Sequence, residues 1–231
     1  MKKTIAIITA RGGSKRIPHK NIKDFLGKPI LAYSIEAALL SGKFDHVMVS
    51  TDDTEIAEIA KKYGAEVPFM RSPETSNDYA TTADVLCEVI DKYKEMGEDI
   101  GYFCCIYPTA PFITAEKLKK AMELIAELKA DSVVPVVPFS FPPQRSFSIQ
   151  SGKLKIKYPE YFSCRSQDLE PSYHDCGQFY VADCARFLKE KILIMQNTVP
   201  LIMSETEVQD IDNEDDWVIA EMKYKQMCGK K

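Results

Sequence analysis

The stretch Lys3-Thr4-Ile5-Ala6-Ile7-Ile8-Thr9-Ala10-Arg11-Gly12-Gly13-Ser14-Lys15-Arg16 decides the fold. A short apolar run ends on a glycine pair, the signature of a buried strand that turns tightly at its carboxyl end. Lysines ahead of apolar residues mimic a secretion leader, but the run is short and Arg11 interrupts it at once, so a first strand is the better reading. Downstream, Pro29 opens a helix with Leu31, Ile35 and Ala38 on one face and Gly42 just past its end. His46 to Thr51 reads as a second strand, Asp52 as the cap of the next helix, and Ile56, Ile59, Ala60 and Tyr63 as that helix's apolar stripe. Val67 to Met70 reads as a short strand and Tyr102 to Tyr107 as a buried one. Ser132 to Val137 is another, with helices marked by Val85 to Tyr93 and Leu118 to Leu128 between them.

Strands alternating with helices predict an α/β fold with a mostly parallel central sheet and helices on both faces. Ligands in such sheets bind at the carboxyl ends of the strands, which points to the loops after Ala10, Met70 and Tyr107. The chain of 231 residues suits a single domain over 1–231. The rhythm breaks at 138–165, where prolines, aromatics and a hairpin signal at Ser151-Gly152 form an excursion. Two readings stand for it: a surface that meets a partner subunit, or a lid over the site. Gln178 to Val181, Val199 to Met203 and a last helix bearing Trp217, Ala220 and Tyr224 complete the chain.

The composition, 45% hydrophobic and 28% charged, is that of an ordinary globular protein. A net charge of -4 gives no reason to expect nucleic acid or an anionic membrane as partner, and no apolar run is long enough to span a bilayer. Seven cysteines without a C-x-x-C pair point to the reducing cytoplasm, with Cys104 and Cys105 serving as small hydrophobes. Cys164, His174, Cys176 and Cys184 fit no common zinc spacing.

Within this acidic chain, Arg11, Lys15, Arg16 and Lys20 crowd into one segment around Gly12 and Gly13. Backbone N–H groups of a glycine turn together with four cations suit a polyanion such as a nucleoside triphosphate; a solvated basic turn is the competing reading. The loop is neither a Walker A nor a dinucleotide-binding fingerprint. Asp210-Ile211-Asp212 places two carboxylates on one side of a strand end, a magnesium-holding pattern. Asp212 reads equally well as the cap of the last helix. Asp52-Asp53 reads as a helix cap only, and Ala80-Thr81-Thr82 as a helix start that also faces a ligand.

Five segments in order resemble the acylneuraminate cytidylyltransferase (CMP-sialic acid synthetase) family. They are Ala10 to Asn21, Arg71 with Asn77 to Thr82, Tyr107-Pro108-Thr109-Ala110-Pro111, Arg165 to Leu169 with Tyr173 and Gly177, and Gln209 to Asp212. Tyr107 and Cys176-Gly177-Gln178 stand where sialic acid synthetases usually carry Gln and Asn-Gly-Ala, and they match the pseudaminic acid branch more closely. The resemblance implies a Rossmann-like nucleotide-diphospho-sugar transferase fold whose excursion serves dimerisation. It implies CTP and a nine-carbon acidic sugar as substrates, Mg²⁺ as cofactor, and a cytoplasmic homodimer.

By the same resemblance Arg11, Gly12, Gly13, Ser14, Lys15 and Lys20 hold the triphosphate, and Asn21, Arg71, Ala80 and Thr82 surround the cytosine and ribose. Asp210 and Asp212 hold the metal, with Arg11, Lys15, Lys20 and Asp212 as the catalytic set. Tyr107, Arg165, Gln167, Tyr173 and Gln178 face the sugar, and Arg165 offers its carboxylate a guanidinium fork. Tyr107 also reads as a core aromatic, Arg145 as reaching a neighbouring subunit's site, and no general base is named beyond a metal-bound hydroxide or His174. Rival readings are the same reaction on N-acetylneuraminic or legionaminic acid, a glycosyltransferase of similar architecture, and a non-catalytic nucleotide-binding protein.

Overall fold

A computed structural model describes residues 2–229. Strand β1 (Lys3–Thr9) leads through the glycine loop to a two-residue hairpin of β2 (Asp24–Phe25) and β3 (Lys28–Pro29), then to helix α1 (Ile30–Ser41). There follow β4 (His46–Ser50), α2 (Thr54–Lys62), the single turn α3 (Pro73–Ser76), α4 (Thr82–Glu95), β5 (Ile100–Ile106), α5 (Ala115–Glu127) and β6 (Ser132–Pro138). A separate hairpin, β7 (Phe147–Gln150) and β8 (Lys153–Ile156), precedes β9 (Tyr173–Asp175), β10 (Phe179–Asp183), α6 (Cys184–Glu190), β11 (Thr198–Ile202) and α7 (Glu214–Gly229).

The main sheet runs β11-β6-β10-β5-β1-β4, with β9 also pairing β6. The β1–β4, β1–β5 and β6–β11 ladders are parallel, and β10 inserts antiparallel between β5 and β6. The predicted mostly parallel sheet is therefore present with two reversed strands, β9 and β10, which let the chain return from the excursion without a crossover helix. Both faces are covered. Ala6 and Ile8 of β1 enter the core under α1 and α5, while Ile5 and Ile7 enter the core under α4 and α6. Cys104 and Cys105 divide between the same two cores, each fully buried, because successive strand residues point to opposite faces. A strand buried on both sides reads as an unbroken apolar run, which is what marked β1 and β5 in the sequence.

α1 departs from its expected single apolar face. Ile30 to Ile35, Ala37, Ala38 and Ser41 are all buried, because the helix lies between the sheet, α5 and the aromatic contacts of Tyr33 with Phe25 and Tyr224. The expected strand at Val67 to Met70 is not formed. Glu66 alone bridges to Met48, and Pro68, which has no N–H to donate, cannot continue the ladder. The excursion leaves the sheet after Pro138 and rejoins it at Tyr173, where Pro138 pairs with Tyr173 in the β6–β9 ladder. Its hairpin turns on Ser151 and Gly152, both at positive φ (50° and 74°), the two-residue geometry that twists with its strands.

Candidate active site

The glycine loop is held from three sides. Asn21, nearly fully buried, donates from Nδ2 to the Arg11 carbonyl at 2.8 Å. The Gly12 N–H donates to the Asp52 carboxylate at 2.9 Å. Asp53 lies so close that a Cβ on Gly12 would sit 2.9 Å from the Asp53 Cβ and 2.7 Å from its Oδ2. This corrects the expected division of labour at Asp52-Asp53. Asp53 is the N-cap of α2, accepting from the N–H groups of Glu55 and Ile56 at 2.8 and 3.1 Å. Asp52 is free of that duty, and it anchors the loop instead.

The opposite wall comes from the far end of the chain. Residues 208–213 form no strand, so the expected strand-end presentation of Asp210 and Asp212 is replaced by an irregular segment. Ile211 is buried with Ile17, Phe25 and Trp217, which turns its two aspartate neighbours outward. Lys20 Nζ donates to the Ile211 carbonyl at 2.7 Å, and Lys23 pairs with Glu214 at 2.6 Å while lying 4.5 Å above the Trp217 ring. Asn213 caps α7. Its Oδ1 accepts from the Asp216 N–H, and Asp216 Oδ2 accepts from the N–H groups of Asp212 and Asn213. The carboxylate of Asp212 is therefore not the helix cap and remains in the cleft, 2.8 Å from the Arg16 guanidinium.

Between these walls lies a cleft of about 550 Å³ at the carboxyl ends of β1 and β5. Arg11, Ser14, Lys15, Lys20, Asn21, Tyr107, Asp210 and Asp212 line it, together with Thr9, Arg16, Pro108 and Thr109. Burial lowers the Lys20 pKa against the opposing pull of Asp212 and Asp210. Burial first, and Asp212 second, raise that of Asp210. Cations thus crowd one side, and the carboxylates of Asp210 and Asp212 the other. Among the described residues no three His, Cys, Asp or Glu side chains are grouped to hold a metal ion, so a cation at Asp210 and Asp212 would share its shell with ligand oxygens and water.

The other expected site residues divide into four groups. Arg71 is 7% exposed beneath the loop, its guanidinium donating to Ser50 Oγ and the Ser50 carbonyl at 3.0 and 2.6 Å, and burial lowers its pKa. Ala80 and Thr82 flank Thr81, which caps α4 in a reciprocal box with Asp84. Gln178 is buried with its Nε2 on the Glu207 carbonyl, and its own carbonyl accepts from the Tyr107 N–H at 2.9 Å. Arg165 and Gln167 lie outside the cleft of their own chain, on the exposed excursion. Arg165 makes a two-pronged contact with Asp168 at 2.8 and 3.1 Å. Arg145 donates to Ser166 at 3.0 Å, and Tyr173 is exposed on β9.

Residues 5–174 match the family model described as Cytidylyltransferase. The chain belongs to the cytidylyltransferase family. It is 40% identical over 224 residues to the pseudaminic acid cytidylyltransferase of Campylobacter jejuni, covering 96% of this chain and 97% of that one. It is 37% identical over 227 residues to the CMP-N,N'-diacetyllegionaminic acid synthase of Legionella pneumophila, covering 94% of each. The fold superposes on CMP:2-keto-3-deoxy-manno-octonic acid synthetase in complex with CTP with a TM-score of 0.69 at 18% identity, over 98% of this chain and all of the other.

Three residues around this cytidylyltransferase cleft have no role assigned from the sequence. Asp78 accepts from Arg11 at 3.0 Å and from Lys15 at 2.5 Å, standing where the loop's cations would meet an anion. Tyr180 and Asp175 stand behind Tyr107. The Tyr107 and Tyr180 rings meet edge-on at 5.6 Å, and Tyr180 donates to Asp175 at 2.5 Å. β10 is buried on both faces, and its antiparallel pairing with β5 sets Tyr180 beside Cys105 and next to Tyr107.

Proposed function

We propose that the enzyme transfers CMP from CTP to the anomeric hydroxyl of a nonulosonic acid, pseudaminic acid first among them, releasing pyrophosphate. The observation that carries this reading is the joining of a basic glycine loop and a pair of carboxylates across one cleft, in a chain 40% identical to a pseudaminic acid cytidylyltransferase. Arg11, Lys15 and Lys20 bind the triphosphate and offset the charge that builds on the departing pyrophosphate. Arg71, Asn21, Ala80 and Thr82 surround the cytosine and ribose. Asp210 and Asp212 fit Mg²⁺, being carboxylates faced across the cleft by the phosphate-binding cations. When bound, Mg²⁺ would neutralise phosphate charge and orient the α-phosphorus for in-line attack.

Tyr107 and Gln178 form the sugar side of the cleft, Tyr107 by its ring and hydroxyl and Gln178 by holding the Tyr107 backbone. Arg165, Gln167 and Tyr173 complete the sugar set. The first two extend from the excursion, where pairing of two chains would offer them, and Arg145, a neighbouring cleft. A homodimer through the excursion suits its surface: Phe147, Ile149 and Leu154 of the hairpin are 49%, 75% and 69% exposed in the single chain. The cytoplasm suits seven free cysteines. A second reading, the same transfer to a legionaminic acid, has the support of the 37% identical legionaminic acid synthase.

The test is pyrophosphate release from CTP with Mg²⁺ and, separately, pseudaminic, legionaminic and N-acetylneuraminic acids. Release with pseudaminic acid alone is expected. Release with another sugar alone overturns the substrate, and CTP binding without release overturns the enzyme reading.

A further inference from the structure

Arg71 is a buried cation that, among the described residues, has no carboxylate within ion-pair distance. The two carboxylates that act on it from farther away are engaged elsewhere. Asp52 accepts from the Gly12 N–H, and Glu88 accepts from the Ser72 N–H at 2.9 Å and from the Thr75 hydroxyl. What holds the guanidinium is one neutral residue, the last of β4. Ser50, 2% exposed, takes the Nε proton on its hydroxyl oxygen at 3.0 Å and an Nη2 proton on its carbonyl at 2.6 Å. The same carbonyl accepts from the Ala10 N–H at 2.9 Å, and the Arg71 N–H donates to the Thr51 carbonyl at 2.8 Å.

A buried charge is costly, and a carboxylate partner is the usual remedy. Here the guanidinium is anchored without being neutralised, so its charge is kept for whatever it meets next. Nε and Nη2 lie on one edge of a rigid planar fork, and two acceptors from a single residue along that edge fix the plane. Nη1 makes no hydrogen bond among the described residues and is not sealed from solvent, which leaves its donors to a ligand.

We infer that Ser50 is a positioning residue for base selection: its two oxygens clamp one edge of Arg71 and so aim the Nη1 donors at the nucleotide base. A guanidinium offers donors alone. The ring N3 of cytosine accepts, whereas the N3 of uracil carries a proton, so a well-aimed donor there favours CTP and meets a donor in UTP. Ser50 sharpens that choice without touching the nucleotide. This rests on the proposal that Arg71 faces the cytosine.

Ser50→Ala tests it, because the change removes the acceptor for Nε and leaves the backbone carbonyl in place. Calorimetry should show CTP binding weakened roughly ten-fold, the scale of one hydrogen bond to a charged group, with UTP binding weakened far less. Inorganic pyrophosphate, which has no base, should bind as it does to the wild type, and kcat at saturating CTP should be close to unchanged. A merely structural loosening, carried through Ala10 into the glycine loop, would weaken pyrophosphate and CTP alike. In an Arg71→Lys background, which lacks the fork, Ser50→Ala should cost no further CTP affinity. Ser50→Cys, similar in volume and a weaker acceptor, should show the same pattern in smaller degree, and it serves if the alanine variant does not fold. Wild-type CTP affinity in both Ser50 variants, equal losses for CTP and pyrophosphate, or losses that multiply in the Arg71→Lys background would each overturn the inference while leaving the proposed reaction standing. Equal affinity of the wild type for CTP and UTP would take Arg71 away from the base and overturn the inference with it. Failure of the wild type to release pyrophosphate with any of the three sugars would overturn the reaction alone, since the binding comparison is made without a sugar.

Discussion

Replacing Gly12 by alanine puts one methyl group into the most crowded contact of the loop. That Cβ would lie 2.9 Å from the Asp53 Cβ and 2.7 Å from its Oδ2, closer than carbon atoms approach without displacement. Either neighbour can yield, and both routes have a cost. If Asp53 swings away, α2 loses its N-cap bonds to Glu55 and Ile56, at about 1 kcal/mol. If the loop lifts instead, the Gly12 N–H leaves Asp52, a charge-assisted bond at an exposed site that contributes about 1–2 kcal/mol. The expected loss is therefore about 1–2 kcal/mol, or about 2–8 °C in unfolding temperature for a chain of this size. Turnover should fall further than stability, roughly ten- to a hundred-fold in kcat/KM, because Arg11 and Ser14 flank the displaced residue. Gly13→Ala is the control, since nothing lies within 4 Å of its Cβ position. Thermal unfolding of both variants, with pyrophosphate release as the activity readout, decides the matter. Equal stability losses in the two, or none in Gly12→Ala, would refute the reasoning.

Three further outcomes are expected. Asp78→Asn removes the carboxylate that Lys15 and Arg11 hold below its ordinary pKa, so CTP should bind a few-fold more tightly at low salt, by calorimetry; weaker binding would make Asp78 part of the nucleotide site. Asp210→Asn should abolish Mg²⁺-dependent turnover yet stabilise the fold at neutral pH. The folded pKa of Asp210 is raised, so its favourable contribution exists below the unfolded carboxylate pKa and is lost as pH rises through the raised value. Urea melts at pH 4 and pH 7 should show the gain at pH 7 alone, and a less stable variant at pH 7 would contradict it. Thr81→Ala breaks the reciprocal cap of α4 and should cost about 1 kcal/mol in the same melts, with the CTP affinity a check on whether Thr82 moves with it.

Much of this architecture is legible in the sequence because burial writes itself into composition. β1 and β5 read as apolar runs since both their faces are covered, and Gly42 and the Ser151-Gly152 pair mark sites where the backbone needs positive φ. The glycine loop and the Asp210, Asp212 pair are legible for a related reason: charge concentrated in a short segment is visible without a fold. What fails to show is whatever depends on two distant segments meeting. Asp52 reads as the cap of α2 until the fold brings it to the Gly12 N–H and leaves the cap to Asp53. Asp212 looks like a cap until Asn213 takes the position. Tyr180 and Asp175 carry no motif of their own, and they come to stand behind Tyr107 only when β10 runs antiparallel to β5.

The contact of Lys20 with the Ile211 carbonyl joins residues 191 positions apart, and Trp217 seals the same junction. Closing so long a loop is a late and slow event in folding. The cleft has only one wall until α7 docks, so a ligand that touches both walls selects the docked state and no other. Nucleotide and C-terminal helix thereby become cooperative partners. Amide protons along α7 should exchange more slowly in a CTP complex, although the helix itself lies outside the cleft.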